Sequence, residues 1–201
     1  MRGSTSGVYG DCAGARVGET RPVRAQTPRA RRRAAAERRL RTWAAHHGVV
    51  LSILRVPGIY SSTRLPLERL KHATPALVAD EDVYTNHIHA DDLAHAAVAA
   101  LYLGRANRAY NVCDDSEMKM GAWFDTVADA YRLPRPPRIS WDDAERRMAP
   151  ILLSFMSESR RLANVRMKRE LRVRLRHPTP HATLAQCAPR DLNRQLSLPI
   201  G

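Results

Sequence analysis

Long apolar runs are missing from this 201-residue chain, and so is anything resembling the hydrophobic stretch of about 18 residues that a membrane helix needs. The first ten residues carry no apolar signal-peptide core either, which leads us to expect a cytoplasmic protein. Cysteine is scarce. Cys12, Cys113 and Cys187 form no C-x-x-C pair and have no histidines at metal-ligand spacing, so they read as reduced thiols and no metal is assigned. Aromatic residues make up 5%, which is little for stacking on nucleic-acid bases. Lysine is almost absent: Lys71, Lys119 and Lys168 stand against 30 arginines, and the 33 basic residues exceed the 20 acidic ones by +13. Bulk attraction to phosphate does not distinguish arginine from lysine. The arginines are therefore read as scattered over solvated faces, with an Arg-rich nucleic-acid-binding module kept as the alternative.

What is present is enough for a core. A hydrophobic share of 44% excludes a disordered tail, and the length suits one domain or slightly more. Residues 1–26, with turn glycines at Gly7, Gly10, Gly14 and Gly18, read as loop. Thr27-Pro28 supplies an N-cap and a proline at the first helical position. The helix that follows, 29–46, has Arg33 and Arg41 spaced to pair with Glu37, and Gly48 closes it. Residues 49–56 (VVLSILRV) form a short apolar run typical of a strand buried on both faces. Beyond it come a short helix over 67–73, an extended 84–89, and a helix over 93–103 with Asp91 as its N-cap. A strand over 108–113 and a helix over 120–131 precede a proline-rich linker at 133–137. Two further helices are expected, over 141–155 and 159–170. Alternation of this kind predicts an α/β domain with a parallel sheet. His87, His89 and Asp92 invite a metal reading, but on a strand the two histidines share one face while Asp92 lies past the helix start.

Several strings carry a resemblance. Ser4-Thr5-Ser6-Gly7-Val8-Tyr9-Gly10 is similar to the S-[ST]-x-x-V-Y-G segment of the NAD-dependent epimerase/dehydratase family, the extended short-chain dehydrogenase/reductases. Leu54-Arg55-Val56-Pro57-Gly58-Ile59-Tyr60, Asn86-His87-Ile88-His89-Ala90-Asp91-Asp92-Leu93-Ala94 and Tyr110-Asn111-Val112 resemble later family motifs in the same order. Ser157 to Pro178 resembles the closing pattern, with His177 in place of a tyrosine. The resemblance implies a Rossmann-like, doubly wound parallel sheet lacking its N-terminal strands, with a small, mainly helical substrate-side region after it. The expected boundaries are 1–135 for the later part of the NAD(P)-binding domain, 136–186 for the helical region and 187–201 for a tail.

The family's hydroxyl that polarises the reacting oxygen falls on Thr5. Its Y-x-x-x-K pair, anchored here by Glu37, falls on Arg29 and Arg33. A guanidinium keeps its proton to above about pH 12 and cannot serve as acid or base. Arg33 could still hold a ribose or phosphate as a fixed cation. By the same resemblance Pro57 and Gly58 lie near NAD or NADP, and Ser6, Tyr60 and Arg64 near the substrate. The implied function is NAD(P)-dependent oxidoreduction or epimerisation of a hydroxyl or carbonyl in a small molecule or nucleotide sugar, catalytically degenerate at positions 29 and 33. A non-enzymatic NAD(P)-sensing module is the companion alternative, and a homodimer is compatible with the family. No G-x-x-G-x-x-G follows a strand, so the chain is expected to be the later part of a longer domain, with the 49–56 strand left unpaired and prone to aggregate. On the small-molecule reading, retention on duplex DNA falls little with added salt. A steep log–log slope in a salt titration would instead make the arginines a nucleic-acid surface.

Overall fold

In the computed structural model, residues 1–187 are described; the expected tail beyond them and the thiol of Cys187 lie outside the described residues. The chain opens with β1 (Arg2–Thr5), a 3-10 turn (Ser6–Tyr9) and β2 (Arg16–Val17), where loop was expected throughout 1–26. β1 contains no apolar side chain, so its sequence does not announce a strand; its extended state comes from pairing. Helix α1 (Pro28–His46) follows, with Thr27 Oγ1 accepting from the Ala30 N–H at 3.2 Å. Then come β3 (Ser52–Val56), β4 (Gly58–Tyr60), α2 (Leu67–Lys71), β5 (Ala76–Leu77), β6 (Tyr84–Thr85) and β7 (His87–His89). Helix α3 (Ala90–Leu103), β8 (Arg108–Asn111), β9 (Met118–Lys119), α4 (Met120–Ala130) and β10 (Arg138–Ile139) complete the middle of the chain. The rest comprises α5 (Trp141–Arg147), α6 (Pro150–Met156), β11 (Arg161–Leu162), α7 (Val165–Glu170) and α8 (Pro180–Cys187).

The main sheet is parallel, in the order β1-β3-β8. Register pairs Arg2 with Ile53 and Thr5 with Val56 on one side, and Ser52 with Arg108 on the other. The strand expected to stand unpaired is therefore the central one, with β1 and β8 on its two edges. It also starts later than expected: Val49 and Val50 are exposed, because Gly48 turns left-handed (φ 62°) and the Val49 N–H returns to the Ala44 carbonyl at 2.9 Å. Alternating side chains send Ile53 and Ala109 towards Ala44 of α1, and Leu54 and Tyr110 towards Ala96 and Ala100 of α3. Helices thus cover both faces, as a doubly wound sheet requires. Met167 and Leu171, in and just after α7, join the α3 side of this core.

Other local expectations are corrected. His89, not Asp91, caps α3, its Nδ1 accepting from the Asp91 N–H at 3.2 Å. The helix expected over 141–155 is two, broken at Met148 and Ala149, because Pro150 fits only a first turn. The helix expected over 159–170 begins only at Val165. Its first part is extended as β11, parallel to β2, with the Leu162 N–H donating to Asn86 Oδ1 at 2.7 Å.

Glu37 does not pair along its own helix with Arg33 or Arg41. Its carboxylate accepts from Arg55 of β3 in a fork, Nε at 3.2 Å and Nη2 at 2.8 Å, with both residues buried. Ser4 of β1 donates to the same carboxylate at 2.6 Å. Arg55 Nη1 donates to Tyr9 Oη at 2.9 Å, and Tyr9 donates in turn to Asn111 Oδ1 of β8 at 2.7 Å. Replacing one partner of a buried pair strands the other charge at a cost of about 3–5 kcal/mol. Glu37→Gln or Arg55→Met should lower the unfolding free energy by about that amount in urea titrations. The double replacement Glu37→Leu/Arg55→Met should recover much of the loss.

Candidate active site

The carboxyl ends of β1 and β3 leave the sheet side by side, since Thr5 and Val56 are register partners. In open α/β sheets this is the edge where ligands bind. A cleft of about 430 Å³ lies there. The end of β1 contributes Thr5 and Ser6, the first turns of α1 contribute Arg29 and Arg33, and the chain after β3 contributes Pro57 and Gly58. Arg64, seven residues past Pro57, completes the rim. Two helical positions four apart share one face, so the placing of Arg29 fixes that of Arg33. Ala30 and Ala34 face inward on α1, and Glu37 lies buried one turn further along. The helix is therefore pinned with this arginine face towards the cleft.

Thr5 closes β1 and caps the following turn, its Oγ1 accepting from the Gly7 N–H at 3.3 Å; its own proton stays free to donate. Gly10, at φ 68°, brings the loop onto Arg24: a Cβ there would sit 2.3 Å from the Arg24 carbonyl oxygen. Gly58 lets β4 approach β7, since a Cβ would meet the Asn86 carbonyl oxygen and His87 Cδ2, each at 3.3 Å. Arg29 lies over the Phe155 ring, 4.3 Å from its centroid, and neither Arg29 nor Arg33 makes an ion pair among the described residues. The cleft's carboxylate is Glu158, a residue the sequence did not single out. It is 8% exposed, accepts from Arg160 at 3.0 Å through Oε2, and leaves Oε1 without a partner. Asn86 holds this segment in place, its Nδ2 donating to the Arg160 carbonyl at 2.9 Å. The Asn86 motif was visible in the sequence, whereas its grip on residues 160–162, more than 70 positions away, was not.

Tyr60 does not line this cleft. It is 1% exposed, its ring meets His89 edge-on at 5.2 Å, and it borders an adjoining annexe of about 340 Å³. His87 borders the same annexe, stacked at a tilt on Trp123 with 4.4 Å between centroids. His87, His89 and Asp92 share no ligand point: both Asp92 oxygens accept backbone N–H groups, of Arg176 and His177, at 2.8 Å each. His89, Asp91 and His177 come closer together, but the two imidazoles are stacked 3.7 Å apart. Their ring lone pairs therefore lie in near-parallel planes, and the His89 Nδ1 lone pair is taken by the Asp91 N–H.

Comparison with known proteins bears on the family and the fold. The model of the NAD dependent epimerase/dehydratase family matches residues 1–113. No curated protein matches the chain. A functionally unknown conserved protein from Silicibacter pomeroyi DSS is 33% identical, with a TM-score of 0.81 over 92% of this chain and 64% of its own. UDP-glucose 4-epimerase of Thermus thermophilus, solved with NAD, is 21% identical (TM-score 0.70; 92% and 61% covered). UDP-glucuronic acid 4-epimerase of Bacillus cereus, solved with UDP-glucuronic acid and NAD, is 17% identical (TM-score 0.72; 96% and 60% covered). At the latter two identities the likeness is one of fold. The chain spans less than two thirds of the length of each of these structures. Among the described residues, no helix is long and apolar enough to cross a membrane.

Two buried groups beside the annexe titrate in opposite senses. Burial pushes the Asp114 carboxyl up to about 7, although Ser116 donates to it, and burial pushes the His87 imidazole down to about 4. Folded Asp114 keeps a proton that the unfolded chain has released, so its stabilisation is complete below about pH 4 and is lost as pH rises through 7. Folded His87 refuses a proton that the unfolded chain takes up, so its stabilisation is present above about pH 6.5 and is lost as pH falls through 4. The two slopes oppose each other between pH 4 and 6.5. Asp114→Asn should leave stability rising with pH across that window and His87→Phe should leave it falling, as measured by urea midpoints at half-unit pH steps.

Proposed function

From the premise that the chain belongs to the NAD-dependent epimerase/dehydratase family, we propose that its cleft is the nicotinamide half-site of an NAD(P)-dependent oxidoreductase or epimerase-like protein. Its substrate on this reading is a hydroxyl or carbonyl compound, either a small molecule or a nucleotide sugar. The observation that carries the reading is the convergence of Thr5, Arg33 and Pro57-Gly58 at the adjoining carboxyl ends of two parallel strands. These residues suit the nicotinamide end of a dinucleotide: a hydroxyl donor, a cation for ribose or phosphate, and close-lying backbone. A pyrophosphate cradle of the G-x-x-G-x-x-G kind is not part of the 201 residues.

Bound there, a nicotinamide supplies or accepts a hydride. The chain's own residues orient the partner and stabilise charge. Thr5 Oγ1, already accepting from Gly7, directs its proton at the reacting oxygen. Arg29 stabilises negative charge on that oxygen as it develops, in the manner of an oxyanion donor, but gives up no proton. Positions 29 and 33 thus favour binding over turnover, and the reading extends to an NAD(P)-sensing protein with a degenerate catalytic pair. Glu158 is the carboxylate in the cleft, and its pairing with Arg160 holds it in place.

Reduced nicotinamide mononucleotide tests this directly, because it carries the nicotinamide half without the adenylate. Quenching of its fluorescence should give a dissociation constant within about threefold of that for NADH. Arg33→Ala removes a charge-assisted hydrogen bond, of the class worth roughly 1.5–3 kcal/mol, and should weaken both by about tenfold or more. Absence of binding by either compound at millimolar concentration, with the chain folded, would sink the half-site.

A further inference from the structure

The annexe beside the cleft has a different chemistry from the cleft itself. Trp123, Phe124 and Phe155 line it, with Ile59, Leu152 and Met156 filling between them. Its aromatic walls are flanked by guanidinium groups: Arg69 lies 4.5 Å over Phe124, and Arg29 lies 4.3 Å over Phe155. Arg64 and Phe155 border both the annexe and the cleft, and Arg64 makes no ion pair among the described residues. Inside, His87 is 5% exposed and its Nδ1 has no partner. A sugar ring with a hydroxyl on nearly every carbon would leave most of them unpaired against such walls. A planar apolar ring meets aromatic faces and edges instead, and an acid group on it would meet Arg64 at the mouth.

We infer that the annexe binds the apolar body of a small aromatic carboxylate, its acid group on Arg64 at the junction with the cleft. A substrate seated this way carries its reacting carbonyl or hydroxyl towards Thr5. This places the substrate outside the nucleotide sugars. The direction of the reacting atom rests on the half-site reading above, whereas the annexe's preference for aromatic anions does not.

Calorimetric titration of the full chain separates the possibilities, with 2-naphthoate as the probe. Acetate supplies the anion alone, 2-naphthalenemethanol the ring alone, and UDP-glucose the alternative substrate class. Naphthoate should bind at least tenfold more tightly than each of the other three. Arg64→Gln, at an exposed rim position, should weaken naphthoate about tenfold and leave the alcohol unchanged. Leu152→Trp should fill the annexe and remove naphthoate binding, with the thermal midpoint showing that the variant is folded. The inference is overturned if naphthoate binds no better than its two halves, if UDP-glucose binds as tightly and competes with it, or if a folded Leu152→Trp still binds it. Naphthoate binding without any binding of reduced nicotinamide mononucleotide would refute the half-site and leave the annexe standing.

Discussion

One carboxylate, buried between a helix and a strand, holds this protein's functional edge together. Glu37 lies on the inner face of α1, and Arg55 lies in the central strand of the sheet. Neither tolerates burial alone, because moving an isolated charge out of water costs several kcal/mol even after relaxation. Together they make a forked pair that Ser4 and Tyr9 extend by further hydrogen bonds. Through Ser4 the pair sets β1, and hence Thr5, against the helix. Through Tyr9 and Asn111 it reaches β8, where Asn111 Nδ2 also donates to the Val17 and Ala163 carbonyls at 3.1 and 3.2 Å. All three strands of the sheet and the helix that carries Arg29 and Arg33 are thus fixed by one connected polar network. Well-packed apolar residues could be as stabilising, but they would not dictate the register of α1 against β3 so narrowly. That register decides which side chains of α1 reach the cleft.

The same edge gathers positive charge. Elsewhere on the surface some arginines find counter-charges, Arg135 with Asp129 at 2.7 Å, Arg146 with Asp143 at 2.8 Å and Arg16 with Glu117 at 2.7 Å, while others, such as Arg31 and Arg38 of α1, make no ion pair among the described residues. Such exposed pairs are each worth little. The cleft brings three such unpaired arginines together. Glu158 is already engaged by Arg160, while Arg29, Arg33 and Arg64 have no acidic partner among the described residues. The net charge of the chain and the character of the site are therefore separate matters, and it is the arginines gathered in the cleft that bear on a ligand.

Much of this was legible wherever a local signal sufficed. Thr27-Pro28 and Gly48 mark the ends of α1 because capping depends on a few neighbouring residues. Pro57-Gly58 marks the end of β3 for a similar reason. What could not be read depends on partners distant in sequence. Arg2 to Thr5 has no strand-like alternation and becomes extended only by pairing with β3. Ser159 to Leu162 has spacing compatible with a helix, but Asn86 and β2 claim its backbone first. Glu37 has two arginines at helical distance and still pairs across the core with a third, because a buried fork outweighs exposed pairs along a helix. The cleft residues supplied by the N-terminal half of the chain were accordingly nameable from sequence, whereas Glu158 and Phe155 were not.

On the proposed reading, the arginines at positions 29 and 33 bear on more than proton transfer. A tyrosine and a lysine on one helix face carry a single positive charge, and the phenol can exchange its proton. Two arginines carry two fixed charges on that face, neither cancelled by an acidic side chain nearby. Like charges four residues apart on a helix repel. An anionic ligand relieves that repulsion, and its relief adds to the energy that binding releases. Such an arrangement increases affinity for an anion without lowering any barrier that depends on moving a proton. On the proposed reading the two roles are divided within α1: its buried face holds the sheet through the Glu37–Arg55 pair, and its exposed face, with Arg29 and Arg33, serves anion binding.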